Sequence, residues 1–347
     1  MTAQRIRTLL AVTCLLLAAT GVAACSGSGN SGAASQGGRL GGGGSVAVPS
    51  SIEAALESIP RTKWDSSYME FGADADLVAL NGGESGGTDL GRLLGWGDEN
   101  LATYIQPNSP LEFGFDPYKE PAAVTLGVPP DTVTALYGTF DPSTVGAKLA
   151  ALGFKQQPSA DGGQIWTIVA GSTLGPDDSL SAIGKNVFYV SSGRVIYGGS
   201  TSEVEATATS ASPRIVENSE LDQLARCLGT DQVSLIGPSG SVANSTTVGL
   251  GDQITSATDV TFTICVPTGS TAAAQSLASA WAGRVATLRS KTMDELWSAE
   301  LTDPVSAVLG GSANVVQLTA KPKAGVSCGL IINALQTNDL APLLAPA

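Results

Sequence analysis

The 347-residue chain carries 18 Lys and Arg against 31 Asp and Glu, a formal net charge of −13, and it contains no histidine. That balance, with no run of clustered cations, argues against nucleic acid and anionic lipid surfaces as partners. The missing imidazole excludes Ser-His-Asp and Cys-His nucleophile systems, imidazole general bases and histidine-ligated zinc.

The chain opens with Arg5 and Arg7 ahead of an apolar stretch from Leu9 to Ala19, the layout of a secretory n-region and h-region. The stretch is too short to span a bilayer, which takes about 20 apolar residues. It ends in Val22-Ala23-Ala24-Cys25, which resembles the bacterial lipobox. That resemblance implies cleavage before Cys25 and attachment of lipid to its thiol, with two acyl chains giving a stable anchor. Residues 1–24 are therefore expected to be a lipoprotein signal peptide. Removing them takes two cations and no acids, so the mature chain has 16 against 31, a net charge of −15. Residues 25–46 read as the lipidated cysteine and a flexible tether, because Ser26 to Ser45 holds nine glycines, five serines and a single charge, Arg39. Such a composition cannot bury enough apolar surface to offset its chain entropy.

From about residue 47 onward the patterning is that of a folded body. Helical signals at Ile52 to Ser58 and Asp98 to Ile105 are separated by Gly-rich loops such as Asn81 to Gly87. Residues 132–140 are β-prone, and Asp141-Pro142 supplies an N-cap with proline at the first helical position. Val145, Leu149 and Leu152 share one face of that helix, which Gly153 closes. A strand is expected over Gln164 to Ala170, a hairpin over Asn186 to Val190 and Arg194 to Gly198, and a helix over Thr201 to Ser210. Another helix spans 219 to 228. The C-terminal half predicts strands near Gln232 to Ile236, Thr246 to Leu250 and Thr258 to Val266, a helix from Thr271 to Arg289, a strand at Ala313 to Lys321 and a helix near Ser327 to Gln336. The expected fold is α+β: two loosely repeated split β-α-β units, mainly antiparallel sheets with helices packed on one face. The two halves are placed at 47–230 and 231–347.

Three cysteines fall in this body, and outside the cytoplasm thiols tend to pair. On helix 219 to 228 the apolar stripe is Leu221, Leu224, Ala225 and Leu228, with Cys227 off it. In the strand before Pro267, Val260, Phe262, Ile264 and Val266 share one face, which leaves Cys265 on the other with Thr261 and Thr263. Cys328 falls among Ile331, Ile332 and Leu335 and reads as a buried free thiol. The expected disulfide is therefore Cys227 with Cys265.

No GxSxG elbow, P-loop, GxGxxG following a strand, or CxxC pair is present, so neither a cofactor nor a metal is expected. Carboxylate chemistry of the glycosidase kind needs two acids about 5 to 10 Å apart across a cleft, and no Asp or Glu is singled out for it. Asp74 with Asp76 and Asp177 with Asp178 read as solvated turn acids, and Asp116-Pro117 as a turn signal. Arg284 interrupts the stripe of Ala274, Leu277, Trp281, Val285 and Leu288 and needs a partner. Either its stem snorkels and its head pairs with water or a structural Asp or Glu, or it meets an anion or carboxylate ligand beneath the sheet. Trp96, Trp166 and Trp297 are candidates for a sugar or lipid groove, although the alternation of Trp166 with Ile168 favours a core position.

Taken together, lipobox, Gly/Ser tether and acidic, histidine-free α+β body resemble the uncharacterised lipoproteins common in actinobacterial cell envelopes. The resemblance rests chiefly on residues 5 to 25 and implies a body held at the outer side of the cell membrane through lipid on Cys25. Its expected partner is an envelope protein or a small apolar ligand, with binding rather than catalysis as its role. A carboxylate-dependent hydrolase of cell-wall glycan and a lipid carrier are the alternatives.

Overall fold

Alternating β-branched and aromatic residues in the body assemble into one sheet in a computed structural model. The structure describes residues 46–60, 68–83, 88–98, 113–128, 131–159, 162–168, 185–209, 213–238 and 247–345. The signal peptide, Cys25 and the tether lie outside the described residues. So do Asp177, Asp178 and all but the first residue of the helix expected at 98–105.

The strands are β1 (Met69–Gly72), β2 (Ala122–Val128), β3 (Asp131–Tyr137), β4 (Lys155–Gln157), β5 (Gln164–Thr167) and β6 (Val187–Val190). They continue with β7 (Arg194–Gly198), β8 (Val233–Pro238), β9 (Thr247–Ser256), β10 (Asp259–Pro267), β11 (Leu301–Gly310) and β12 (Val315–Pro322). They form a 12-stranded sheet in the order β11-β12-β10-β9-β8-β1-β2-β3-β7-β6-β5-β4. Every neighbouring pair is antiparallel.

The helices are α1 (Ile52–Ser58), α2 (Asp74–Leu80), α3 (Pro142–Ala151), α4 (Thr201–Ala208) and α5 (Ser219–Leu228). After them come α6 (Thr271–Thr287), α7 (Trp297–Glu300), α8 (Leu330–Gln336) and α9 (Ala341–Leu344). Their starts follow local chemistry. Asp141 accepts from the Ser143 amide at 3.0 Å ahead of α3, Asn218 from Glu220 at 3.1 Å ahead of α5, and Ser270 from Ala273 at 3.2 Å ahead of α6.

The α+β class is as expected, but the helices pack on both faces of the sheet rather than on one. Met69, Phe71, Val124, Ile196, Ile236 and Cys265 point to the face covered by α1, α4 and α5. On the opposite face, Leu235, Leu250, Ile264 and Leu318 meet α6 and α8. Farther along that face, Leu136, Phe188 and Val195 meet α3. The central strands are therefore apolar on both sides, as strands sandwiched between layers must be. One sheet also replaces the two expected. β1 pairs with β2 on one side and β8 on the other, so the boundary at 230/231 runs through continuous hydrogen bonding. The two halves share a crossover in outline. In β10-α6-β11 one strand, β12, fills the gap, whereas in β3-α3-β4 three strands fill it.

Between the two clusters on the α3/α6 face, residues 94–98 lie flat on the sheet. A Cβ on Gly72 would sit 1.9 Å from the Trp96 carbonyl oxygen, so only glycine admits this approach. Thr125 Oγ1 donates to the Gly97 carbonyl at 2.7 Å and secures the turn. Among the described residues, no helix is long and apolar enough to cross a membrane.

Candidate functional site

Three loops on the α6 face enclose a cavity of about 510 Å³. The first is a 3-10 turn, Leu90–Arg92, pinned by the buried Leu90 and Leu93. The second is the β9-β10 turn at Ala257 and Thr258, and the third runs from Pro322 to Cys328. Asp89 ties the first loop to the third, because its Oδ2 accepts from the Cys328 amide at 2.8 Å. Lys323 holds the third loop to the body, donating from Nζ to the Ser298 carbonyl at 2.6 Å and from its amide to Glu300 at 2.8 Å. The walls thus carry Asp89, Arg92, Lys323, Thr258, Ser327 and the buried Cys328 thiol among small apolar groups. Burial, together with a hydrogen bond and the charge of Asp89, pushes that thiol up to about 12, so it stays protonated and unreactive.

Asp252 lies on the same face of the sheet, in line with Leu250 and Ile254 on β9. It is fully buried, and neither carboxylate oxygen has a hydrogen-bond partner among the described residues. Burial raises its pKa well above the usual carboxylate range, with smaller contributions from Asp231 and Asp89. Asp231 lies on the other face of the sheet, where its Oδ2 occupies the space a Cβ on Gly251 would need. Burial lifts its pKa to about 7 against an opposing hydrogen bond from Thr263. A second acidic group sits at the seam between the α6 and α3 clusters. There burial and the neighbouring Asp98 raise Asp74, while the Gly95 amide, 3.2 Å away, lowers it. Glu120, raised to about 8 by burial and by Asp116, completes the set. A glycosidase needs two acids facing each other across an opening. This cavity has Asp89 in its wall, and Asp252 is wholly buried.

Among the sequence candidates, Cys227 and Cys265 are joined, with 6.1 Å between their Cα atoms, and the disulfide ties α5 to β10. Cys328 is free and buried, as expected, although α8 begins only at Leu330 and the thiol lies just ahead of it. Among the described residues Arg284 meets backbone carbonyls rather than an Asp or Glu. It donates to the carbonyls of Leu343 and Ala345 at 2.9 and 2.5 Å, capping the C-terminal end of α9, where a cation complements the free carbonyls. The tryptophans form no groove: Trp297 is fully buried, Trp166 belongs to the α3 cluster, and Trp96 donates to the Ser234 carbonyl at 3.2 Å. Asp74 and Asp76 part company, since residues two apart on a helix point to different sides, and Asp74 is buried where Asp76 is exposed. Asp116 accepts from the Tyr118 amide at 3.3 Å and caps a 3-10 turn, which is the role expected of it. No local pattern in the sequence marks Asp231, Asp252 or Glu120 as buried carboxyls. Gly251-Asp252 reads as a strand end, and nothing local marks it as interior.

No family model matches the chain, and no curated protein matches it. Two solved crystal forms of TP0453 align with it. Form III has a TM-score of 0.42 at 10% identity, covering 80% of this chain and 97% of that one. Form I has a TM-score of 0.39 at 8% identity, covering 81% and 96%. A likeness that weak decides neither fold family nor function.

Proposed function

We propose that the protein is a lipoprotein of the cell envelope, anchored at the extracytoplasmic face of the cell membrane through lipid on Cys25, and that its body is a non-catalytic binding or scaffold module. The observation that carries this reading is the Cys227–Cys265 disulfide, because such bonds persist in oxidising compartments and are rare where thiols are kept reduced. It supports export independently of the lipobox at Val22 to Cys25. The binding role is favoured over hydrolysis because the acids with raised pKa values are held inside the sheet layers rather than across an opening. Over lipid carriage it is supported by the cavity formed by the described residues, whose walls are built from charged, hydroxyl and small side chains, with Val260 and Val326 as the largest aliphatic groups.

Metabolic labelling with a fatty-acid probe tests the anchor. The wild-type chain is expected to be tagged and to sediment with membranes, while the Cys25→Ser variant is untagged and released. An untagged wild-type chain, or a Cys25→Ser variant that stays with membranes, overturns the reading.

A further inference from the structure

The two edges of the sheet are finished differently. At one end β4 has three residues, Lys155–Gln157, all exposed and polar, the short charged form that discourages strand addition. At the other end β11 runs for ten residues and pairs only with β12. Its first part is irregular, with Asp303 at φ 50 followed by Pro304, and its register shifts there. From Val305 to Val308 the pairing is regular, a second register shift follows between Val308 and Gly310, and among the described residues no strand lies on the outer side of this segment. Val305, Val308 and Leu309 are 60%, 39% and 50% exposed, three of the five large apolar side chains exposed among the described residues.

We infer that this edge is a self-association surface, at which β11 of one copy pairs antiparallel with β11 of a second copy about a two-fold axis through Ala307. Charge is the first reason for choosing a second copy. Two mature chains of net charge −15 repel, which favours contact where neither presents charge. The edge lies in an uncharged tract, Pro304 to Ala320. The helix lying over it is uncharged from Thr271 to Gly283, with Arg284 in its last turn held by the carbonyls of Leu343 and Ala345.

Self-complementarity is the second reason, since a two-fold contact must fit its own image. With Ala307 opposite itself, Val305 of each copy faces Leu309 of the other on one side of the sheet. Ser306 then faces Val308 on the other side.

The flank of α6 supplies the third. α6 packs on β11, with Ser306 Oγ donating to the Ala278 carbonyl at 2.8 Å, so two paired edges would bring two α6 helices side by side. The α6 residues beyond Ala278 on that side are Gln275, Ala282 and Ala286, all exposed, and two of them are small enough for close helix approach.

This inference stands apart from the lipid anchor, and its test uses the purified full chain in detergent under a mild oxidant. Residues opposite each other in an antiparallel pair have Cα atoms about 4.5 to 5.5 Å apart, within the range a disulfide spans. The Ala307→Cys variant is therefore expected to run largely at twice the monomer mass on a non-reducing gel. Val305→Cys and Leu309→Cys should crosslink when mixed and much less when alone. The parent chain, with Cys14 and Cys25 replaced by serine in every variant so that the buried Cys328 is its one free thiol, should stay monomeric on the gel. Val305→Lys with Leu309→Lys should reduce the Ala307→Cys dimer band at least tenfold while circular dichroism is unchanged. A monomeric Ala307→Cys variant, or a dimer band insensitive to the two lysines, overturns the inference. With Cys14 and Cys25 replaced, failure of the Cys25 labelling leaves these outcomes as they are.

Discussion

At the scale of single residues, two aspartates illustrate how burial and hydrogen bonding set opposite electrostatics. Asp339 is buried, which alone would raise its pKa. Three donors outweigh that effect: the Ser290 hydroxyl and the amides of Lys291 and Thr292, the last two at 2.8 and 3.1 Å, hold it below the usual range. Asp231 has a single opposing donor, the Thr263 hydroxyl, and burial lifts it to about 7. A carboxyl whose folded pKa lies above its unfolded value of about 4 stabilises the fold fully below pH 4. That stabilisation is lost as pH rises through 7. The Asp231→Asn variant should therefore gain about 2 kcal/mol relative to wild type at pH 8, against an upper bound of about 4 kcal/mol, with little gain at pH 4. Urea denaturation across that range checks it, and parallel curves for the two proteins would show that Asp231 is not the source. Neither aspartate announces itself in the sequence. The cysteines do, because their strand and helix faces can be counted, whereas the burial of a carboxyl depends on which layer covers it.

At the scale of elements, agreement is closest where local chemistry punctuates the chain. The α3 start at Asp141-Pro142, the hairpin around Ser191 to Gly193, and α5 at 219–228 all stand as their caps and turns indicate. Nothing in the sequence signals strand β11, because Asp303-Pro304 reads as a turn. In the sheet that proline sits in an edge strand, where no partner asks for its missing amide. β9 was expected to stop at Leu250 and instead continues to Ser256, carrying Asp252 inside. The interface between α5 and the sheet depends on another inconspicuous residue. A Cβ on Gly249 would lie 3.2 Å from both the Cys265 Cβ and a Leu228 methyl, so glycine lets the helix settle close enough for the disulfide. That bond closes a loop with a sequence separation of 38. By loop entropy its removal should cost about 4 kcal/mol as an upper figure. The Cys227→Ala, Cys265→Ala double variant should accordingly unfold at lower denaturant, by about 2 to 4 kcal/mol, with wild type under reducing conditions falling to the same value. Equal midpoints with and without reductant would mean that α5 is held by packing alone.

For the molecule as a whole, the position of β1 is decisive. Four residues, Met69–Gly72, join the strands of 47–230 to those of 231–347 and give both halves their central partner. α5 reinforces the join, since it belongs by sequence to the first half and lies over β9 and β10 of the second, with Gln317 of β12 donating to the Cys227 carbonyl at 2.7 Å. Cutting at 230/231 would leave β1 and β8 with unpaired edges in the centre of the sheet, and it would strip Leu224, Ala225 and Leu228 of the strands they cover. Unpaired apolar edges of that kind pair with whatever strand they meet. Residues 47–230 and 231–347 expressed separately should therefore be insoluble or protease-labile, whereas co-expression should recover a soluble complex held by the Cys227–Cys265 bond. The intact body should melt in one cooperative transition seen alike by far-UV circular dichroism and tryptophan fluorescence. Two separated transitions, or a first half that resists protease alone, would mean that the sheet is two folding units sharing a seam rather than one.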